Sequence, residues 1–217
     1  MEPPVESIGA VVLAGGRSAR FGRDKLLEPI DGGTLLEHAI EAVRSVASEV
    51  VVVTAPGVER AVPEGIIVVE DPHPFEGPLV GLVTGLESLD ESIERVIVVG
   101  GDMPSLEPGV LALLIAALHD DVDAAVLETD DGRAVIPSGL RRGPQLARAR
   151  DLVASGERRL GAVLDGSRVA VVARGAWTAV DPDGRTLRDV DRPSDLDRPS
   201  DLDRPSDVAR GGLLGDR

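Results

Sequence analysis

The feature that most limits what this chain can become is an alternation: short runs of branched apolar residues are separated by longer stretches with helical spacing. The runs are Ile8 to Ala14 (IGAVVLA), Val50 to Ala55, Ile66 to Asp71, Arg95 to Asp102, Asp123 to Thr129 and Ser167 to Ala173. Most are apolar at nearly every position, which is the pattern of strands covered on both faces. Between them, Leu36, Ile40, Val43 and Ala47 fall on one helical stripe behind Thr34 and Glu37, which have capping-box spacing. Further helical patterns span 77–89, 108–119 and 144–155. Strands and helices in this order predict an α/β fold, a three-layer α/β/α sandwich with a mostly parallel, Rossmann-like sheet. Ligands of such sheets sit beyond the carboxyl ends of the strands, so the loops after Leu13, Val69 and Val99 are expected to meet.

Composition narrows the function. The 217 residues, 42% hydrophobic, suffice for one domain with a sizeable core, yet Phe21, Phe75 and Trp177 are its only aromatic residues. A net charge of −15 opposes binding to nucleic acid or to an anionic membrane. Without cysteine there is no disulfide, thiolate metal site or thiol nucleophile, so a metal would be held by oxygen or by His38, His73 or His119. His73 reads as a loop residue, because no second histidine has metal-ligand spacing. No signal peptide and no membrane-length apolar run is read, so a cytoplasmic protein is expected.

The carboxy-terminal end repeats itself. DRPSDL at 191–196 recurs at 197–202, and DRPSDV follows at 203–208. Units this short do not stack into a solenoid, and they read as tandem duplications of a terminal segment, only one copy of which can occupy the place the fold provides. The expected organisation is a domain over 1–196 and a flexible tail over 197–217.

The first run leads into AGGRSARFGRDK. Gly15 and Gly16 let the backbone leave the strand sharply and free amide donors, while Arg17, Arg20, Arg23 and Lys25 add cations, a combination suited to polyphosphate. The Walker pattern fails, because Gly22 is followed by Arg23, Asp24, Lys25 and then Leu26, with no hydroxyl. The dinucleotide fingerprint fails on glycine spacing.

The surviving order L-A-G-G-x-S-x-R-F-G-x-D-K resembles the signature loop of the MobA-like nucleotidyltransferases, most closely the molybdenum cofactor guanylyltransferases. The likeness continues through Asp71, GPLVG at 77–81, Asp102-Met103-Pro104, GERR at 156–159 and a closing DVDRPSDL at 189–196. It implies a nucleotide-diphospho-sugar transferase-like fold. It implies nucleotide contacts for Leu13, Ala14, Gly15, Gly16, Lys25 and Asp71, with Lys25 on the phosphates, and Mg2+ on Asp102. Thr54 stands where some members have a nucleotide-contacting Asn, Phe21 where guanylyltransferases commonly have Met, and Asp189 and Asp191 replace the closing asparagines. Residues 133–142 keep only Pro137 of the family's usual pattern in the stretch that would face the acceptor.

Each site residue also has a plainer reading. Gly15 and Gly16 could form an ordinary strand-to-helix turn, and Asp71 and Asp102 could cap turns. Lys25 could be a solvated charge, but a cation near a helix amino terminus calls for a compensating anion. Arg158 and Arg159 divide evenly between helix-end packing and binding an acceptor phosphate. A second metal ligand could come from Asp189 or Asp191.

The chemistry follows from charge. An acceptor phosphate monoester, already ionised, attacks the α-phosphorus of a nucleoside triphosphate and expels pyrophosphate, with Lys25, Arg20 and Asp102-bound magnesium as the catalytic set. The resemblance implies GTP and molybdopterin as substrates, with cofactor-biosynthesis proteins or acceptor enzymes as candidate protein partners. Two alternatives stand beside it: a related transferase using CTP or another phosphorylated acceptor, and a nucleotide-binding protein without catalysis.

Overall fold

The computed structural model describes residues 7–15, 24–58, 60–72, 76–191 and 195. In chain order the elements are β1 (Ile8–Ala14), β2 (Pro29–Ile30), β3 (Gly33–Thr34), α1 (Leu35–Arg44), β4 (Glu49–Thr54) and β5 (Ile67–Glu70). There follow α2 (Pro78–Ser88), β6 (Arg95–Gly100), α3 (Pro108–Ala116), β7 (Ala124–Thr129), β8 (Gly132–Arg141), α4 (Arg142–Ala154), β9 (Val169–Val172) and α5 (Arg174–Thr178). A seven-stranded sheet has the order β5-β4-β1-β6-β8-β7-β9, while β2 and β3 form a separate antiparallel pair. Strands β4, β5 and β6 run parallel to the β1 ladder and β9 parallel to β7, but β8 is antiparallel to both of its neighbours. The α/β sandwich expected from the alternation is therefore the fold observed, with one reversed strand.

The sheet is covered on both sides. On one face, Ala10, Val12, Val50, Val52, Ile97 and Val99 pack with Leu36 and Ile40 of α1 and Leu111 and Leu114 of α3. On the other, Val11, Val51, Val53, Val96 and Val98 pack with Leu79, Leu82 and Leu86 of α2 and Leu146 of α4. Successive residues of one strand thus enter opposite layers, which is why β1, β4 and β6 are apolar throughout. The two edge strands depart from that expectation: Ile67 and Val68 of β5 are exposed, and so is Val171 of β9. They have only one neighbouring strand each and are covered incompletely.

Helix α1 begins as its sequence predicts. The Thr34 hydroxyl accepts from the Glu37 amide at 3.2 Å, and the Glu37 carboxylate accepts from the Thr34 amide at 2.7 Å. Both α2 and α3 carry proline in the first turn, where a missing N–H costs nothing. Trp177, on the short α5, is buried and donates its indole N–H to the Glu128 carbonyl at 3.0 Å.

Strand β8 escapes the sequence reading because Gly132, Pro137 and Gly139 break its strand signal. Its ladder explains how a proline fits. Pairing with β6 runs from Arg95 opposite Arg141 to Val98 opposite Ser138, so Pro137 lies just past the last paired residue. On the other side the register with β7 shifts between Val126 and Glu128, over the same stretch. Proline falls where the ladder requires no donor.

Candidate active site

Strand order places β4 on one side of β1 and β6 on the other, so the chain reverses direction across the sheet beside β1. The carboxyl ends of β1 and β6 are the crevice such a reversal opens. They are tied directly, since the Gly101 amide donates to the Leu13 carbonyl at 2.9 Å. One residue further, Asp102 stands beyond the end of β6. A β-carbon on Gly100 would lie 2.5 Å from Asp102 Oδ1, so only glycine at 100 leaves that carboxylate its place.

Lys25 reaches the same point from the other side. It opens a short 3-10 turn, Lys25–Leu27, capped by the Asp24 carboxylate, which accepts from the Leu26 amide at 3.1 Å. Lys25 Nζ donates to Asp102 Oδ2 at 2.7 Å and to Asp191 Oδ1 at 3.1 Å. Burial would lower its pKa, but the hydrogen bonds and charges of Asp102 and Asp191 prevail and raise it above the ordinary lysine value. The ammonium is therefore firmly charged.

Asp191 arrives on the closing segment, which is anchored well before it. The buried Asp181 carboxylate accepts from the Thr186 amide at 2.7 Å, and the buried Thr186 hydroxyl accepts from the Glu107 amide at 3.1 Å. The Val190 amide then donates to the Asp102 carbonyl at 3.0 Å, and the Val190 side chain is buried. Its neighbours Asp189 and Asp191 are less buried than Val190. Asp102, Asp189 and Asp191 each offer a carboxylate oxygen within 4.8 Å of the others. Burial and the charges of Asp191 and Asp102 raise the pKa of Asp189 above the usual carboxylate value. The cluster holds more negative charge than Lys25 offsets.

The other residues singled out in the sequence divide. The Ala14 carbonyl accepts from Arg60 Nη2 at 3.3 Å, so the end of β1 is fixed by a side chain from the loop after β4. Among the described residues, a β-carbon on Gly15 would meet nothing nearer than the Ala55 amide at 3.8 Å. Thr54 is fully buried, and its hydroxyl donates to the Val69 carbonyl at 3.4 Å, a contact inside the sheet. Asp71 follows β5, its amide bonded to the Thr54 carbonyl at 2.8 Å, and its carboxylate lies toward Gly81 of α2. Gly16, Arg17, Arg20, Phe21, Arg23, His73 and Phe75 lie outside the described residues.

Arg158 resolves to the helix-end reading. Its guanidinium donates to the Val153 and Glu157 carbonyls and pairs with Glu76 at 3.0 Å, while its own carbonyl accepts from the Leu79 amide of α2. Gly77, at φ +115°, allows this approach, since a β-carbon there would lie 2.7 Å from the Arg158 carbonyl oxygen. Arg159 pairs with Glu157 at 2.8 Å and is largely exposed. Glu157 is held down to about 2 by the Arg159 guanidinium and the backbone amides of Arg159 and Arg158.

Arg60 is the residue the sequence does not advertise. Its side chain is only 3% exposed and pairs with Asp24 at 2.8 Å while reaching Ala14, so it joins the two ends of the segment between Gly15 and Asp24. Its position within a turn-rich stretch, APGVERAVPEG, carries no motif.

The mostly parallel sheet, with Gly15 at the end of its central strand and Lys25 meeting Asp102 beyond the neighbouring strand, is that of an α/β nucleotidyltransferase, the class of the family whose model the chain matches. The chain belongs to the family of the MobA-like NTP transferase domain, whose model matches residues 10–173. It is 33% identical over 195 residues to the "Probable molybdenum cofactor guanylyltransferase" of Mycobacterium tuberculosis, covering 88% of this chain and 92% of that one. The protein of the same name from Pyrococcus horikoshii is 41% identical over 114 residues, 51% of this chain and 56% of its own length. In fold it is similar to the molybdopterin-guanine dinucleotide biosynthesis protein A of Archaeoglobus fulgidus, with TM-score 0.69 at 19% identity over 88% of this chain and 95% of that one. Among the described residues no helix is long and apolar enough to cross a membrane.

Proposed function

We propose that this protein transfers GMP from GTP to the terminal phosphate of molybdenum-molybdopterin, releasing pyrophosphate and forming the guanine dinucleotide cofactor. The observation that carries the reading is the meeting of Lys25 with Asp102 and Asp191, at 2.7 and 3.1 Å, beyond the strands between which the sheet reverses. Family membership and the guanylyltransferase names of the similar proteins supply the substrates. The reaction is a cytoplasmic one between soluble small molecules, carried by residues 1–196, with 197–217 as a tail.

Phosphoryl chemistry of this kind asks the protein for alignment and charge, not for a side-chain nucleophile. Gly15 lets the triphosphate approach the chain closely. Lys25 exchanges its carboxylate partners for phosphate oxygens, and Arg20 supplies a second cation from the same loop. Asp102, with Asp189 and Asp191 beside it, fits Mg2+: three oxygen donors lie together, and their surplus negative charge disfavours ionisation of Asp189 in the ion's absence. When bound, the ion neutralises charge developing between the α-phosphate and the leaving pyrophosphate. The acceptor phosphate is held in line and attacks directly. Thr54 acts through the sheet by holding β5 to β4, and Asp71 is the nucleotide contact offered beyond it.

A second reading is favoured by Asp189 and Asp191, which replace the asparagines of the closing element and resemble sister branches: the same transfer with CTP. Melting shifts in magnesium with GTP, CTP, ATP and UTP separate the two. Selective stabilisation by GTP, weakened in Lys25→Ala and Asp102→Ala, is the expected result. Preference for CTP moves the protein to the sister activity, and stabilisation by no nucleotide overturns both.

A further inference from the structure

Lys25 is the only lysine in the chain, and the turn that bears it is held in two different ways. On one side Leu26 is buried against the strand end that leads to Asp102: a β-carbon on Gly101 would lie 3.4 Å from Leu26 Cδ1. On the other side Asp24 is held by charge. Its Oδ1 accepts from the Leu26 amide at 3.1 Å and from Arg60 Nη2 at 3.3 Å, while Arg60 Nη1 lies 2.8 Å from Oδ2. The same Nη2 donates to the Ala14 carbonyl at 3.3 Å, at the end of β1. The stretch before Arg60 is fixed in turn. The Val58 amide closes a turn on the Ala55 carbonyl at 3.3 Å, and the Gly57 amide donates to the Glu70 carboxylate of β5 at 3.1 Å.

Stability alone does not account for this arginine. Its side chain is almost wholly buried, and Nε has no hydrogen-bond partner among the described residues. Nη1 has none either, its contact with Asp24 being one of charge off the N–H direction. A buried ion pair recovers little net stability once desolvation is counted. What the geometry supplies is placement. Lys25 and Asp102 are both referred to the end of β1, Lys25 through Asp24 and Arg60 to Ala14, Asp102 through the Gly101 amide on the Leu13 carbonyl at 2.9 Å.

We infer that Arg60 is a positioning residue for Lys25: through the Asp24 carboxylate it sets the turn from which the Lys25 ammonium meets Asp102 and Asp191. A lysine carries its charge on a flexible four-carbon stem, so its ammonium keeps one place only where its backbone does. The consequence for nucleotide binding rests on the transferase reading above.

Because the chain has one lysine, its hold can be read chemically without a substrate. Acetylation by an N-hydroxysuccinimide ester at one fixed pH, well below every variant's melting temperature, is followed by peptide mass, with the terminal amine as internal standard. Lys25 should be modified at least about threefold faster in Arg60→Met and in Asp24→Asn than in the parent, and no faster in the double variant than in the faster single one. Leu146→Ala, a core loss on the other face of the sheet, should leave the rate unchanged. A rate in Arg60→Met no greater than in Leu146→Ala overturns the inference, and so does acceleration by Arg60→Met without acceleration by Asp24→Asn. If Arg60→Met does not fold, Arg60→Gln, which keeps a donor for Ala14 and loses the charge facing Asp24, takes its place in the same comparison.

A second measurement places the same residue in ligand binding. Arg60→Met should weaken the melting shift from magnesium and GTP in the parent and leave the residual shift of Lys25→Ala unchanged; equal further loss in the Lys25→Ala background overturns the inference. If GTP and magnesium do not stabilise the unaltered protein, the transferase reading fails, while the acetylation rates still decide the role of Arg60.

Discussion

At Lys25 a single ammonium answers to two carboxylates that, under the proposed function, have other work. Removing Asp102 deletes a ligand and a partner together, so Asp102→Asn should lower kcat by about 100-fold or more, measured as pyrophosphate release at saturating GTP. Asp189 gives a different sign. Its pKa is raised by burial and by Asp191 and Asp102, so the stability linked to it is full below its unfolded pKa and is lost as pH rises through the folded value. Asp189→Asn should therefore melt higher than the parent at neutral pH without metal, with the difference vanishing as the medium is acidified below about pH 4. Arg60→Met would leave the buried Ala14 carbonyl and the Asp24 carboxylate without that partner, and should cost about 2–4 kcal/mol in urea unfolding. That Lys25 and Asp102 belong to one place was legible in the sequence, because both follow glycine-containing strand ends in the order the family resemblance expects, and the structure brings them to 2.7 Å. Arg60 was not, since what matters is the fold bringing the loop after β4 against both ends of another loop. The Thr54 hydroxyl turns inward for the same kind of reason: its acceptor, Val69, is on a neighbouring strand.

Elements whose burial is symmetrical were the easiest to read. Strands β1, β4 and β6 have neighbours on both edges and helices on both faces, and an unbroken apolar run can mean little else. Strand β8 is stabilised by two neighbours instead of by its own residues, and its proline is accommodated by a register shift that only the pairing reveals. Helix α4 starts at Arg142, ahead of the expected proline, because its first turn is held from outside: the Arg142 side chain donates to the Leu86 and Leu89 carbonyls at the end of α2. Helix α1 depends on local chemistry and can be tested locally. Thr34→Ala removes one half of the capping box and should destabilise the protein by about 1 kcal/mol, with the denaturant midpoint lowered and the slope unchanged.

The whole molecule carries fifteen net negative charges and binds, on the proposed reading, anionic substrates. Self-repulsion of that size is screened by salt, so the melting temperature should rise between low and physiological ionic strength, independently of any ligand. Against this background Trp177 has a use beyond packing. It is the only tryptophan in a chain with no tyrosine, it is buried, and its ring lies beneath Gly184, where a β-carbon would come within 3.8 Å, on the segment that runs on to Asp189 and Asp191. Excited at the red edge of protein absorption, the molecule emits from one known place. Its intensity and wavelength report the packing around Gly184, so the protein carries an intrinsic optical probe at the base of the segment that leads to Asp189 and Asp191, with no label attached.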